Sequence, residues 1–234
     1  MSIPQSDIER FTLRKIFADI LHILNLEKGM GYTLKRLLME PGKTIEEYLF
    51  LDRNRLTRPF SLIVLLVAIA TFCTLLVLPD TAQLLEDLQK SPQWQSYPPV
   101  IQKVLAWLTV NLKQYFNLFF LMGLPFISLA TFVVFRNGKY YFAEHLIINA
   151  YISSPQTLFY LLFIPIINLS GFFAFLQGVT VIAYTIFAYK QIFKLSWVES
   201  LWKSLLSFVL YQLLFGIGLG ILIIALVIIN SLSL

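Results

Sequence analysis

The run Leu146–Tyr189, LIINAYISSPQTLFYLLFIPIINLSGFFAFLQGVTVIAYTIFAY, holds 44 residues without a single Lys, Arg, Asp or Glu. A bilayer hydrocarbon core of roughly 30 Å is crossed by about 20 apolar residues as helix. The run is too long for one crossing and right for two, with a turn near Pro165-Ile-Ile-Asn-Leu-Ser-Gly171. Outward from it lie three more uncharged runs: Pro59–Leu78, Phe116–Phe135 with Pro125 inside, and Leu205–Ile229. In lipid every backbone polar group must be satisfied within the protein, and long apolar runs achieve this as helices. The alternation of a transmembrane β-barrel is not visible. The sequence therefore predicts an all-α, polytopic integral membrane protein. Its spans are expected near 59–78, 116–135, 146–164, 172–189 and 205–229, preceded by an amphipathic helical segment over 1–58.

Composition agrees. Of 234 residues, 58% are apolar and 13% charged, the latter about half the share typical of soluble domains. With one Cys, this excludes a disordered chain, a disulfide scaffold and an ordinary soluble enzyme. No signal peptide is expected, because residues 1–58 carry ten basic and eight acidic residues and no early apolar core. No lipid anchor is expected either, since Ser2 stands where myristoylation needs Gly and no Cys lies near the C-terminus. Cys73 reads as a small apolar filler.

Orientation follows from the cations. Lys and Arg number ten in 1–58, two in 136–145 and three in 190–204, all on one side of a five-span layout. The loop 79–115 on the other side has three. The positive-inside rule then places the N-terminus in the cytoplasm and the C-terminus outside the inner membrane. The net charge of +5 needs no nucleic acid; topology and anionic lipid headgroups account for it.

Residues 1–58 read as three helices. Ser6 with Glu9 forms a capping box, and Leu13, Ile16, Phe17, Ile20 and Leu24 share a face opposite Lys15, Asp19 and His22. Gly29 and Gly31 end this helix. Thr33 is expected to cap a second helix over Leu34–Glu40. Pro41-Gly42 breaks it, and Thr44 with Glu47 opens a third through about Leu51. Arg53, Arg55 and Arg58 then stand just before the first span. They are either interfacial anchors or a site for an anion or headgroup, since guanidinium forks suit bidentate anions. Glu46 and Glu47 are the candidate carboxylates to orient them.

The pattern Thr33-Leu34, Leu37-Leu38, Pro41-Gly42, Thr44-Ile45, Glu47-Tyr48, Arg53, Arg55 and Pro59-Phe60 resembles the signature of a bacterial membrane-protein family. That family is known as a domain of unknown function (number thirty-six sixty-seven), common in Bacteroidota. The resemblance covers about residues 30–60 and implies a multi-span body behind the motif. Family members often carry a Cys-rich zinc ribbon ahead of it; no Cys precedes the motif here, so zinc is not implied. A Gly-Lys-Arg-like step of the family is here Asp52-Arg53-Asn54. The five-span layout is also similar in architecture to the Yip1-type membrane proteins.

The loop 79–115 is expected to hold two short helices, with Trp94, Tyr97, Trp107 and Tyr115 at one interface and Trp197 and Trp202 at the other. At membrane depth the polar groups are few, and such groups are the best functional pointers. Asn149, Ser153, Ser154, Gln156 and Thr157 cluster around Pro155; Gln177 and Gln212 lie elsewhere. The cluster is either a kinked helix held by interhelical hydrogen bonds or a broken helix lining a cavity. Glu144 and His145 read as a solvated helix end or a titrating pair. Gly216 and Gly220 form a GxxxG pair, a packing spacing within the chain or between copies.

No common catalytic motif or metal spacing is present, and no catalytic residue, metal or cofactor is expected. The function expected is that of a non-enzymatic scaffold or adaptor. Its partners would be membrane lipids with anionic headgroups, and a protein or second copy of the chain. The alternative is a transporter or carrier of a lipid or small apolar solute, using Asn149 to Thr157 and the arginines. A lipid-headgroup enzyme drawing on Arg53, Arg55, Glu47, Glu144 and His145 is the third reading.

Overall fold

A computed structural model describes residues 29–77, 81–136, 140–167 and 169–232. The expected Ser6–Leu24 amphipathic helix lies outside the described residues, as do Lys139 and the side chain of Tyr115. Among the described residues all regular structure is helical: α1 Met30–Met39, α2 Pro41–Phe50, α3 Pro59–Val77, α4 Thr81–Lys90, α5 Pro92–Ser96, α6 Pro99–Val134, α7 Phe142–Phe163, α8 Gly171–Ile192 and α9 Trp197–Leu232.

Helices α3, α7 and α8 and the Trp197–Ile221 part of α9 are long and apolar enough to cross a membrane, and a shorter apolar stretch, Phe119–Val134, lies in α6. The chain is an all-α polytopic membrane protein. Exposed apolar side chains such as Phe72, Leu162, Phe175 and Leu213 line the outward faces, which in lipid are the solvated faces. Helices α6 and α9 have 36 residues each, so each is about 54 Å long at 1.5 Å per residue, well beyond the hydrocarbon core. Pro99 starts α6 at a position where a missing N–H costs nothing. The second of the short helices expected in the loop 79–115 is thus continuous with the second span.

The order of packing puts α7 at the centre, in contact with α3, α6, α8 and both N-terminal helices. It is the most polar of the spans and also the most buried, 50% of its window against 33% for α3 and 11% for α8. That combination follows from physics: polar groups at membrane depth are tolerated where protein, not lipid, surrounds them. Helix α7 runs unbroken through Pro155. Around the proline, Ser154 Oγ donates to Ala150 O at 2.9 Å and Thr157 Oγ1 to Ser153 O at 2.9 Å.

The N-terminal helices form a layer across one end of the bundle and share its core. Leu37 and Ile45 are fully buried with Leu62, Ile148, Tyr151, Ala188 and Ile192. Tyr184 donates to Leu37 O at 2.9 Å, and Tyr151 to Thr57 O at 2.7 Å. Gly42 sits against α8, its N–H donating to Gln191 Oε1 at 3.2 Å. Both helices start earlier than expected. Thr33 lies inside α1, where its Oγ1 accepts from Thr57 N–H at 3.0 Å instead of capping. Helix α2 begins at Pro41, because proline suits the first helical turn, and Thr44 hydrogen-bonds Glu40 O from within it.

At the opposite end α4 packs on α6. Trp94 is buried there, with Gln102 Nε2 donating to its carbonyl at 3.1 Å, while Tyr97 and Trp107 are exposed. The link from α8 to α9 is a Schellman turn: Leu195 N–H reaches Lys190 O at 3.0 Å across Lys194, which sits in the left-handed region at φ 53°.

Candidate functional site

Asn149 is the hub of a buried network joining three helices. Its Nδ2 donates to Thr131 Oγ1 and His145 O, both at 2.9 Å, and approaches Ser128 Oγ at 3.3 Å. Its Oδ1 accepts from Tyr189 O–H at 2.8 Å. Helix α6 thus supplies Ser128 and Thr131, α7 the amide, and α8 the phenol. His145 is fully buried, with Nδ1 3.1 Å from Thr131 Oγ1 and Nε2 without a partner. Its neighbour Glu144 turns away, accepting from Tyr141 N–H at 2.7 Å in a capping box. The two side chains adjacent in sequence therefore take different surroundings, one capping a helix and one locked in the interior.

Next to this network is a pocket of about 210 Å³ between α6, α7, α8 and α9. Asn149, Ser153 and Gln156 line it from α7, Thr185 and Tyr189 from α8, and Ser204, Ser207 and Tyr211 from α9. Gln156 Nε2 donates to Thr185 Oγ1 at 2.8 Å. Ser154, one residue off that face, does not line the pocket. The hydroxyls of Ser204 and Ser207 are buried and have no hydrogen-bond partner. Aromatic and aliphatic side chains such as Phe120, Ile152 and Phe208 complete the wall. An apolar enclosure with a few convergent polar groups is the usual makeup of a small-molecule site. Sequence reading missed Ser204, Ser207 and Tyr211. The signal available was their spacing, which places 204, 207 and 211 on one face of α9.

The arginines before α3 have separate surroundings. Arg36 forms an ion pair with Glu47, which also lies 3.9 Å from Arg55. The Arg36 and Arg55 guanidiniums stand 5.7 and 5.4 Å from the Tyr32 ring centroid. The bond to Glu47 raises the Arg36 pKa above its ordinary value. Arg53 reaches Leu49 O at 3.5 Å, and Arg58 is exposed. Glu46 pairs with Lys194 at 2.9 Å. Gly216 and Gly220 have open space where a Cβ would point, whereas Gly218 meets Phe126 at 3.0 Å and Gly123 meets the Tyr211 hydroxyl at 2.8 Å. The close approach of α6 and α9 thus falls on Gly123 and Gly218. Among the described residues no three of His, Cys, Asp and Glu gather as a metal site.

Residues 27–72 match the family described as protein of unknown function (DUF3667). The match spans α1, α2, the arginine-bearing link and most of α3, and stops short of the pocket. No curated protein and no solved structure matches the chain.

Proposed function

We propose that this chain is an inner-membrane carrier of a small lipid or apolar solute, bound in the pocket between α6 and α9. The observation that carries the reading is the pair of unpartnered buried hydroxyls, Ser204 and Ser207, on the pocket wall. A buried polar group left unsatisfied costs about 1–3 kcal/mol, a cost that a ligand with a matching group removes. The volume of about 210 Å³ exceeds the ~150 Å³ of an apolar cavity that accepts benzene, so the fitting solute is small.

The adaptor reading needs a free apolar face on the N-terminal helices. In α1 and α2 Leu37 and Ile45 are spent on the bundle, at zero exposure, while Met39 and Phe50 stay exposed; the Ser6–Leu24 face lies outside the described residues. The cation distribution supports a cytoplasmic N-terminus, with the α1–α2 layer on the inner side.

The test is mass spectrometry of small molecules retained when the full chain is extracted with its surrounding lipid patch. One enriched small molecule is expected. Ser204→Ala with Ser207→Ala should reduce its retention and yet raise the melting temperature of the ligand-free protein, by about 1 kcal/mol of added stability. A protein partner recovered in place of a small molecule would sink the carrier reading and return the adaptor.

A further inference from the structure

A second cavity, of about 530 Å³, opens at the α1–α2 end of the bundle. Its charged lining is Arg136, Lys194, Lys203 and Glu46, three cations against one carboxylate. Glu46 is matched by Lys194 at 2.9 Å. Arg136 and Lys203 have no carboxylate within ion-pair distance among the described residues. Glu199, one turn before Lys203, is engaged with Ser196, whose N–H and Oγ–H both donate to it at 3.0 Å. The Lys203 ammonium stands 5.9 Å from the ring centroids of both Phe135 and Trp202. It is therefore a cation held near aromatic faces, in no ion pair among the described residues, with the Glu199 charge acting on it only through space.

Two further groups fit the same reading. The Tyr140 phenol lines the cavity with its hydroxyl donating to Ile192 O at 3.4 Å, and burial, with the Glu46 and Glu144 charges, pushes its pKa up to about 12, so it keeps its proton. Lys194 holds a left-handed backbone conformation that costs a non-glycine residue roughly 1–2 kcal/mol. That conformation closes the Schellman turn between α8 and α9, and Lys194 lines the cavity from it. The rings of Phe135, Phe193 and Tyr189, with centroids 4.0 to 5.8 Å apart, stand between this cavity and the intramembrane pocket. The two spaces are thus separate sites.

We propose that this basic cavity binds one phosphate-class anion, with Arg136 and Lys203 as its contacts. Arg136 supplies a planar fork and Lys203 a point charge, the usual pair for a phosphate oxygen set. Val134, Ile192, Leu195 and Trp202 give the cavity an apolar margin at the membrane surface, suited to the glycerol end of an acidic phospholipid. The site goes beyond the carrier reading, and its occupancy does not depend on the pocket between α6 and α9.

The experiment is native mass spectrometry of the full chain from nanodiscs of phosphatidylcholine with a minor fraction of phosphatidylglycerol. One phosphatidylglycerol should bind selectively. Arg136→Gln with Lys203→Gln should weaken it about tenfold, ~1.4 kcal/mol, while Lys203→Arg alone retains it. Arg53→Gln with Arg58→Gln removes the same charge from the same end and should leave the affinity within about twofold, since ordinary surface attraction acts on every cation alike. Ser204→Ala with Ser207→Ala should also leave it unchanged, which separates failure of this site from failure of the pocket. Excess inorganic phosphate that displaces the lipid assigns the site to the free anion; lipid that resists displacement assigns it to the tailed form. Equal losses in the two double variants, or equal binding of both lipids, would overturn the proposal. If the Arg136/Lys203 variant fails to fold, Lys203→Gln alone gives the same readout in smaller measure, a loss of about threefold.

Discussion

Asn149→Ala lowers the stability of the bundle by roughly 2–4 kcal/mol. The amide makes two donor bonds of 2.9 Å and one acceptor bond of 2.8 Å, all in the interior. Interhelical hydrogen bonds in membrane proteins average about 0.6 kcal/mol and reach about 1.7. At the average value the loss of the two interhelical bonds, about 1.2 kcal/mol, does not reach the expected cost. The remainder comes from the Tyr189 hydroxyl, which is left buried with no acceptor, and from the void where the amide stood. Ser154→Ala at the same depth should cost under about 1 kcal/mol, because its hydroxyl only returns to the Ala150 carbonyl of its own helix. Reversible unfolding of micelle-solubilised protein by a denaturing detergent measures both. A double-mutant cycle of Asn149→Ala with Tyr189→Phe should give a coupling of about 1 kcal/mol. Additive effects would show that the two side chains do not share a bond of consequence.

Gly42→Val is the second large effect, expected at about 3 kcal/mol or more. A Cβ at this position would stand 2.8 Å from Gln191 Cβ and 2.9 Å from its carbonyl carbon and oxygen. The obstruction is backbone of α8, which cannot step aside as a flexible side chain would. The layer of α1 and α2 would lift from the bundle while α3 to α9 stay packed. Limited proteolysis should then cut within 29–58 while the remaining chain keeps its melting transition. Gly31→Ala is the matched control: nothing lies within 4 Å of its added methyl, and a helical Gly→Ala change gains up to about 1 kcal/mol.

These two sites also mark what a sequence reader sees and does not. The uncharged runs around 59–78, 146–164 and 172–189 are legible because lipid leaves the backbone no other choice than helix. Asn149 and Gln156 stand out for the same reason, being polar where polarity is expensive. Gly42 reads only as a helix breaker beside Pro41. Its contact with Gln191 spans 149 residues of chain, and no local pattern encodes a neighbour that distant. Arg136, Lys194 and Lys203 illustrate a different limit. Counting them gives orientation, but they converge on one cavity only because three separate helix ends meet there. Ser204 and Ser207 look like solvated residues near the start of a span until α7 and α8 are set against them. Arg36 lies within the family-matching stretch, yet its link to Glu47 emerges only once α1 and α2 fold back on each other.

The shared core of the N-terminal layer and the bundle sets a schedule for synthesis. Residues 29–58 leave the ribosome before any of the spans, but acceptors and apolar surfaces that complete them belong to α7 and α8. Leu37 waits for Tyr184, 147 residues later in the chain. At about 5–20 residues per second, that interval lasts roughly 7–30 s. During it, Leu34, Leu37 and Ile45 lack the part of their core that α7 and α8 supply. The layer is sealed only once α8 is made although it is among the first parts to emerge, so slowing elongation through α7 and α8 should lengthen the period in which a protease or a chaperone can reach it.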